Sequence, residues 1–296
     1  MQFRATLLTA IAPIAWGTTY IVTTELLPNG HPLFASLVRA LPAGLIAITI
    51  ARQLPQGAWW WKSFTLGVLN IGAFFPLLFI AAYRLPGGVA ATLGAAQPLI
   101  VAALMVLVLR QSAPWRLVAW GIVGALGVAL IVLRASAGLD TVGLVAGLAG
   151  TASMALGVIL SKHWGKPTEV SSLGYAGWLL ASGGLFLLPI TALTEGFPAH
   201  VDLPAIAGYA WLGVVGGIVA YTLWFRGIRL VPLTSVAVLG LLSPLTAAAL
   251  GALVLGERFT PIQSFGFVLA LAAIVGAQIP ARRRASVRNR MPTYPD

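Results

Sequence analysis

LGAAQPL, residues 93–99, lies inside a nearly unbroken apolar run, and LGLLSPL, residues 239–245, repeats its form 146 positions later. Each phrase sets a proline where a helix interior would lose a backbone hydrogen bond and meet the carbonyl four residues back. Sliding residues 86–109 onto 232–255 brings twelve identities into register over 24 positions: Pro86, Ala91, Leu93, Gly94, Pro98, Leu99, Ala102, Ala103, Leu104, Leu107, Val108 and Leu109. A shared bias toward leucine and alanine does not explain two prolines and a glycine coinciding as well. The pattern is that of an internal duplication.

The sequence around these phrases is that of an integral membrane protein. Of 296 residues, 59% are hydrophobic and 8% charged, with a mean hydropathy of +0.93, far from the balance of a soluble domain. Ten apolar runs follow one another at 5–24, 32–51, 63–82, 87–109, 115–133, 142–161, 171–193, 204–225, 231–255 and 261–279. Each is long enough to cross roughly 30 Å of hydrocarbon as a helix. The first, with Arg4 ahead of it, has the look of a signal peptide, but it stays apolar to Leu27 and is read as a permanent span. The absence of cysteine removes disulfides, thiolate metal sites and thiol nucleophiles, and no cofactor or metal is expected.

A net charge of +11 would suggest nucleic acid for a soluble chain; here the positions of the charges decide. With a cytoplasmic N-terminus, fourteen of the eighteen bases fall on the cytoplasmic side: Arg4, Arg52, Lys62, Arg110, Arg116, Lys162, Lys166, Arg226, Arg229, Arg282, Arg283, Arg284, Arg288 and Arg290. Arg84, Arg134 and Arg258 fall opposite, together with Glu25, Asp140, Glu195, Asp202 and Glu257. That bias places both termini in the cytoplasm, as an even number of spans requires. The basic tail, 281–296, then serves as an anchor against anionic lipid rather than a nucleic-acid arm.

Duplication and span count together predict an all-α polytopic membrane protein of ten transmembrane helices. Residues 1–136 form one repeat of five spans and residues 137–280 the other. Because five is odd, the second copy is inverted in the membrane, the architecture with which secondary transporters alternate access to a midplane site. Pro98 and Pro244 are the expected hinges, each freeing a backbone carbonyl at cavity depth.

Asp and Glu occur only in loops or at span ends, so no embedded carboxylate is available as a proton relay or sodium ligand. Arg39 is the single base inside a span. It could hold a substrate carboxylate, snorkel to the outer interface, or tie helices together through carbonyls. Trp16 and Tyr20 share a face of the first span, and Phe75, Phe79 and Tyr83 one of the third. Tyr175, Trp178 and Ser182 do so in the seventh, and Tyr221 and Trp224 end the eighth. Turned inward, such faces would stack flat or apolar groups and attract an ammonium. Trp59, Trp60 and Trp61 beside Lys62 belong to the interfacial belt, and Tyr83, Tyr221 and Trp224 are read toward that belt; Trp16 and Phe75 lie deeper. Gln97 and Ser243, each just before its proline, and Asn70 are midplane polar groups that must find a partner in a helix or a substrate. The substrate-binding candidates are therefore Trp16, Tyr20, Arg39, Phe75, Phe79, Gln97, Trp178, Tyr221 and Ser243.

The phrase LLSPLTAAALGALVLGERFTPIQSFGFVLALAAIVG (241–276) resembles the end of an EamA domain, with its proline, its Gly256-Glu257 step and a glycine-rich last span. Trp16-Gly17, and Arg39 shortly after Pro32, resemble the start of the same domain. From about residue 5 to 279 the chain is similar to ten-helix members of the drug/metabolite transporter superfamily, and within it to YddG-type amino-acid and drug exporters. The first copy departs from the pattern, with Arg110-Gln111 in place of Gly256-Glu257, so no paired glutamate is carried over. The resemblance implies a multi-pass protein of the bacterial inner membrane, with a central cavity lined by spans one to four and six to nine and with spans five and ten peripheral. Glycines at 121, 124 and 127, at 143 and 147, and at 213 and 217 have spacings that let helices approach closely.

The expected function is export of aromatic or other bulky amino acids, related metabolites or organic-cation drugs by alternating access, with a small molecule and membrane lipid as the partners. Another small metabolite, such as a nucleoside or sugar derivative, is the alternative. A channel fits worse, since neither a charged ring nor a repeated carbonyl filter is evident. An enzyme is not expected: His31, His163 and His200 lie near span ends, and neither H-E-x-x-H nor G-x-S-x-G occurs.

Overall fold

The computed structural model describes residues 2–85, 93–132, 140–254 and 260–278, and every regular element there is helical. In chain order these are α1 (Gln2–Leu26), α2 (Pro32–Ala51), α3 (Trp59–Arg84), α4 (Gln97–Leu107), α5 (Trp115–Val132), α6 (Thr141–Trp164), α7 (Ser172–Thr194), α8 (Leu203–Leu230), α9 (Leu233–Leu239), α10 (Leu242–Val254) and α11 (Pro261–Gln278). Six of them, α1, α2, α3, α6, α7 and α8, are long and apolar enough to cross a membrane; the others are shorter apolar helices. The third predicted span begins earlier than expected because the three tryptophans Trp59, Trp60 and Trp61 form the first turn of α3 instead of preceding it. The expectations for Pro86, Arg134, the Gly256-Glu257 step, Arg258 and the basic tail lie outside the described residues.

Two predicted spans are not single helices. The chain turns at Ala95-Ala96 before α4 begins, and again at Gly240-Leu241 between α9 and α10. Pro98 and Pro244 therefore sit in the first turn of a new helix, where a missing N–H costs nothing, and the break lies one turn upstream. A helical proline leaves the carbonyl four residues back without its donor. Here those residues are Gly94 and Gly240; glycine is a poor helix former, and the Gly240 carbonyl accepts instead from the Ser243 N–H at 3.1 Å. The same spacing recurs at Gly72 and Pro76, where α3 widens into a π-turn over Val68–Gly72 and the Ala73 N–H donates to the Val68 carbonyl at 2.7 Å. By contrast Pro13, Pro42 and Pro189 have Thr9, Val38 and Leu185 at that position, and α1, α2 and α7 run through them unbroken. A second π-turn, Val214–Val219, interrupts α8 at the positions 146 residues after the first.

Small residues let the helices approach to backbone contact, the usual means of association where lipid removes the hydrophobic drive between helices. Along α2 and α7 a Cβ on Gly44 would stand 2.2 Å from the Ala181 nitrogen, one on Gly184 2.6 Å from the Leu41 Cβ, and one on Gly177 3.0 Å from the Ala47 Cβ. Residue numbers rise along one helix as they fall along the other, so the pair is antiparallel. The same holds for α5 and α11: a Cβ on Gly124 would meet the Ala273 Cβ at 3.4 Å, and one on Gly127 the Ala270 nitrogen at 2.6 Å. Ala270 and Ala273 are the positions 146 after Gly124 and Gly127, so this contact is reciprocal. Helix α6 receives α3 and α4 on its glycine face, and α1 packs on α10 and α8.

The ends of the α2–α7 pair are clasped. The opening turn of α2 has no cap of its own, and Glu195, just past α7, accepts the N–H groups of Leu33 at 2.8 Å and Phe34 at 2.7 Å. At the opposite end Gln53 accepts from the backbone N–H and the hydroxyl of Ser171, at 2.9 and 2.8 Å, where α7 begins.

Candidate functional site

The two helix breaks meet at one cavity. Gly94 and Gln97 line it, and so do their counterparts Gly240 and Ser243, with Pro244 beside them. A Cβ on Gly240 would come within 3.0 Å of Gln97 Oε1, so the breaks are in near contact. Gln97 Nε2 is buried without a partner among the described residues. An amide donor left open in a membrane interior is costly unless something in the cavity accepts from it.

Helix α1 contributes Trp16, Thr19 and Tyr20 to the wall, α2 contributes Arg39, and α3 contributes Phe74, Leu78 and Ala81. From α6 come Gly147, Gly150, Thr151 and Met154. Arg39 is only 1% exposed. Its Nη1 donates to Thr19 Oγ1 at 3.3 Å, its Cζ stands 4.4 Å from the centre of the Phe75 ring, and its Nε has no partner among the described residues. The guanidinium thus turns into the protein rather than out to the interface. The room it occupies depends on Gly216, where a Cβ would lie 3.2 Å from Nη2.

The aromatic candidates divide. Trp16 and Tyr20 line the cavity, whereas Phe75 lies behind the guanidinium and its neighbour Phe74 takes the wall position. Phe79 is in the core, away from the wall. Trp178 donates its indole N–H to the Gln53 carbonyl at 2.7 Å and packs by Trp59 and Tyr175, at the link between α2 and α3 rather than at the cavity. Tyr221 backs Trp16 with ring centres 5.0 Å apart and donates its hydroxyl to the Asn70 carbonyl at 3.2 Å. Trp224, expected at the interfacial belt, is 1% exposed and also rests on Trp16, 5.1 Å between centres. The reason is visible in the spacing: Tyr221, Trp224, Phe225 and Ile228 fall at i, i+3, i+4 and i+7, one buried face of α8.

Sequence reasoning passed over Thr19, Phe74, Leu78, Thr151 and Met154. Thr19 follows Trp16 by one turn and was legible from that. Thr151 and Met154 continue the α6 glycine face, whose spacing by itself signals only close helix packing. Among the described residues none of α5, α7, α8 or α11 lines the cavity; from α8, Tyr221 and Trp224 stand behind Trp16, and Gly216 lies beside Arg39.

A membrane-embedded helical protein with a polar-edged central cavity, walled by two broken helices, is built as an integral membrane transporter. The EamA-like transporter family matches residues 3–133 and again residues 141–277, and the chain belongs to that family. It is 45% identical over 267 residues to Protein PecM of Dickeya dadantii (strain 3937), covering 90% of each chain. It is 26% identical over 284 residues to the uncharacterized transporter YwfM of Bacillus subtilis (strain 168), covering 93% of each. A solved crystal structure with 18% identity shares the fold, with a TM-score of 0.76 over 93% of this chain and 98% of that one.

Proposed function

We propose that the chain is an exporter in the bacterial inner membrane that carries small amphipathic organic molecules, aromatic or bulky amino acids and related metabolites among them, by alternating access. Ten crossings, in inverted repeats spanning residues 1–136 and 137–280 with both termini in the cytoplasm, complete the reading. The observation that carries it is the pair of counterpart breaks, at Gly94–Pro98 and Gly240–Pro244, facing one cavity. Antiparallel packing of α5 on its 146-shifted counterpart α11 supports the inversion. In such an arrangement each broken helix closes one end of a shared vestibule, and exchanging their bends exchanges the open side.

The wall fits an amphipathic cargo. Trp16, Tyr20 and Phe74 offer faces for a flat side chain, while Gln97, Ser243 and Thr151 offer polar contacts. Since no carboxylate lines the cavity among the described residues, proton relay through an embedded acid has no residue to use, and flux follows substrate gradients or exchange. The test is counterflow in proteoliposomes loaded with amino acids. Saturable uptake stimulated by internal substrate, and insensitive to a pH gradient, is expected; unsaturable flux would indicate a pore, and strict gradient dependence would overturn the uncoupled reading.

A further inference from the structure

Arg39 is buried, faces the cavity and has no counterion among the described residues. A guanidinium carries five N–H donors, yet one hydrogen bond, to Thr19, engages it among the described residues, and the Phe75 ring covers a face. The described acids are committed elsewhere or exposed. Glu195 caps α2, Asp140 accepts from Gly143 and faces Arg84, Asp202 accepts from the Ala205 N–H, and Glu25 and Glu169 are at the surface. Taking a cation out of water without a partner is costly, and in a membrane interior the charge stays only where something offsets it. The rest of the wall pairs apolar Trp16, Phe74, Leu78 and Met154 with the neutral polar groups of Tyr20, Gln97, Thr151 and Ser243, and none of these carries a negative charge.

We infer that Arg39 is the headgroup site of the cavity and that the cargo must carry a carboxylate on an aromatic or bulky apolar body. The inference deepens the export reading and rests on it. The substrate supplies the negative charge that the protein withholds, in a paired contact to the planar guanidinium, while its body lies against Trp16 and Phe74. An ammonium is optional, because nothing on the wall among the described residues is anionic and rings and carbonyls can receive it. Compounds with a net positive charge meet Arg39 across a low-dielectric space and are excluded. Organic-cation drugs thereby drop out of the substrate range.

Four probes test this in proteoliposomes of the full chain: phenylalanine, N-acetylphenylalanine, phenylalaninamide and tetraphenylphosphonium. The zwitterion and the N-acetyl anion are expected to show saturable flux and to compete with each other; the amide and the phosphonium are expected to do neither. Arg39→Gln should weaken carboxylate binding by roughly 10- to 100-fold, the loss of charge-assisted hydrogen bonds, with Arg39→Lys intermediate. The wild-type comparison stands even if a variant does not fold. Saturable flux of the amide or phosphonium equal to that of phenylalanine and competing with it, or carboxylate binding unchanged in folded Arg39→Gln, overturns the headgroup assignment and leaves the transporter reading in place. Absence of saturable flux for all four probes overturns both.

Discussion

The indole N–H of Trp16 donates to the carbonyl of Gly216 at 2.9 Å, tying α1 to the π-turn of α8 across the duplication. The counterpart tie runs from the Ser153 hydroxyl on α6 to the Leu69 carbonyl at 2.8 Å, inside the π-turn of α3. A π-turn disturbs the helical ladder and leaves carbonyls short of donors, and buried carbonyls must be satisfied. A donor from α1 thus serves a π-turn carbonyl of α8, and one from α6 a π-turn carbonyl of α3.

Trp16→Phe keeps an aromatic ring against Tyr221 and Trp224 and removes the N–H. The expected cost is about 1–3 kcal/mol for the Gly216 carbonyl left unpaired, read as a lower thermal midpoint in detergent. An unchanged midpoint would mean that water or a rearranged neighbour takes over the bond.

Gly94→Leu separates filling the cavity from damaging the fold. A Cβ there meets no described atom within 4 Å and points into the cavity, so the variant should keep its thermal midpoint and lose transport. Gly240→Leu should lose both, because its Cβ would press on Gln97 Oε1 at 3.0 Å and on the Ala237 carbonyl at 3.2 Å.

Gly44→Ala places a methyl 2.2 Å from the Ala181 nitrogen, a backbone atom that cannot step aside. Separation of α2 from α7 should cost about 1–3 kcal/mol, the range of overpacked cores, in thermal unfolding. It should also slacken the position of Arg39, which α2 carries, and so weaken substrate binding in the same preparation.

The Glu195 clasp works by hydrogen bonds more than by charge. Glu195→Ala strips the cap from the Leu33 and Phe34 N–H groups and should cost about 0.5–2 kcal/mol, typical of helix caps. Glu195→Gln, which keeps one acceptor oxygen, should lie between that variant and the parent. Equal midpoints for all three would remove the clasp as a stabilising element.

Asp140, at the start of α6, is held below the usual carboxylate range chiefly by the Gly143 N–H that it accepts, with Arg84 at 3.3 Å adding to the effect. A carboxyl depressed in the folded state stabilises it above the unfolded value of about 3.9 and loses that contribution as pH falls through the lower folded value. Between pH 6 and 3 the midpoint of the wild type should therefore fall more steeply than that of Asp140→Asn. Parallel curves would show that the Gly143 bond is indifferent to the charge.

Helix content and the duplicated phrase were legible because both rest on local facts. An apolar run of sufficient length must satisfy its backbone internally, and a proline acts on the carbonyl four residues back wherever it stands. The break one turn before Pro98 and Pro244 was also within reach, in the glycine that Gly94 and Gly240 share and that Thr9, Val38 and Leu185 replace ahead of the tolerated prolines. Packing decided the rest. Lipid tails and protein interior are equally apolar, so hydropathy does not say whether a face such as Tyr221 and Trp224 looks inward or outward. Phe74 and Phe75, adjacent in the chain, point about 100° apart on a helix and divide the roles of wall and support. Whether Arg39 snorkels or faces a cavity depends on what stands around it: Thr19, Phe75 and the space at Gly216 come from three other helices, and only the folded chain brings them together.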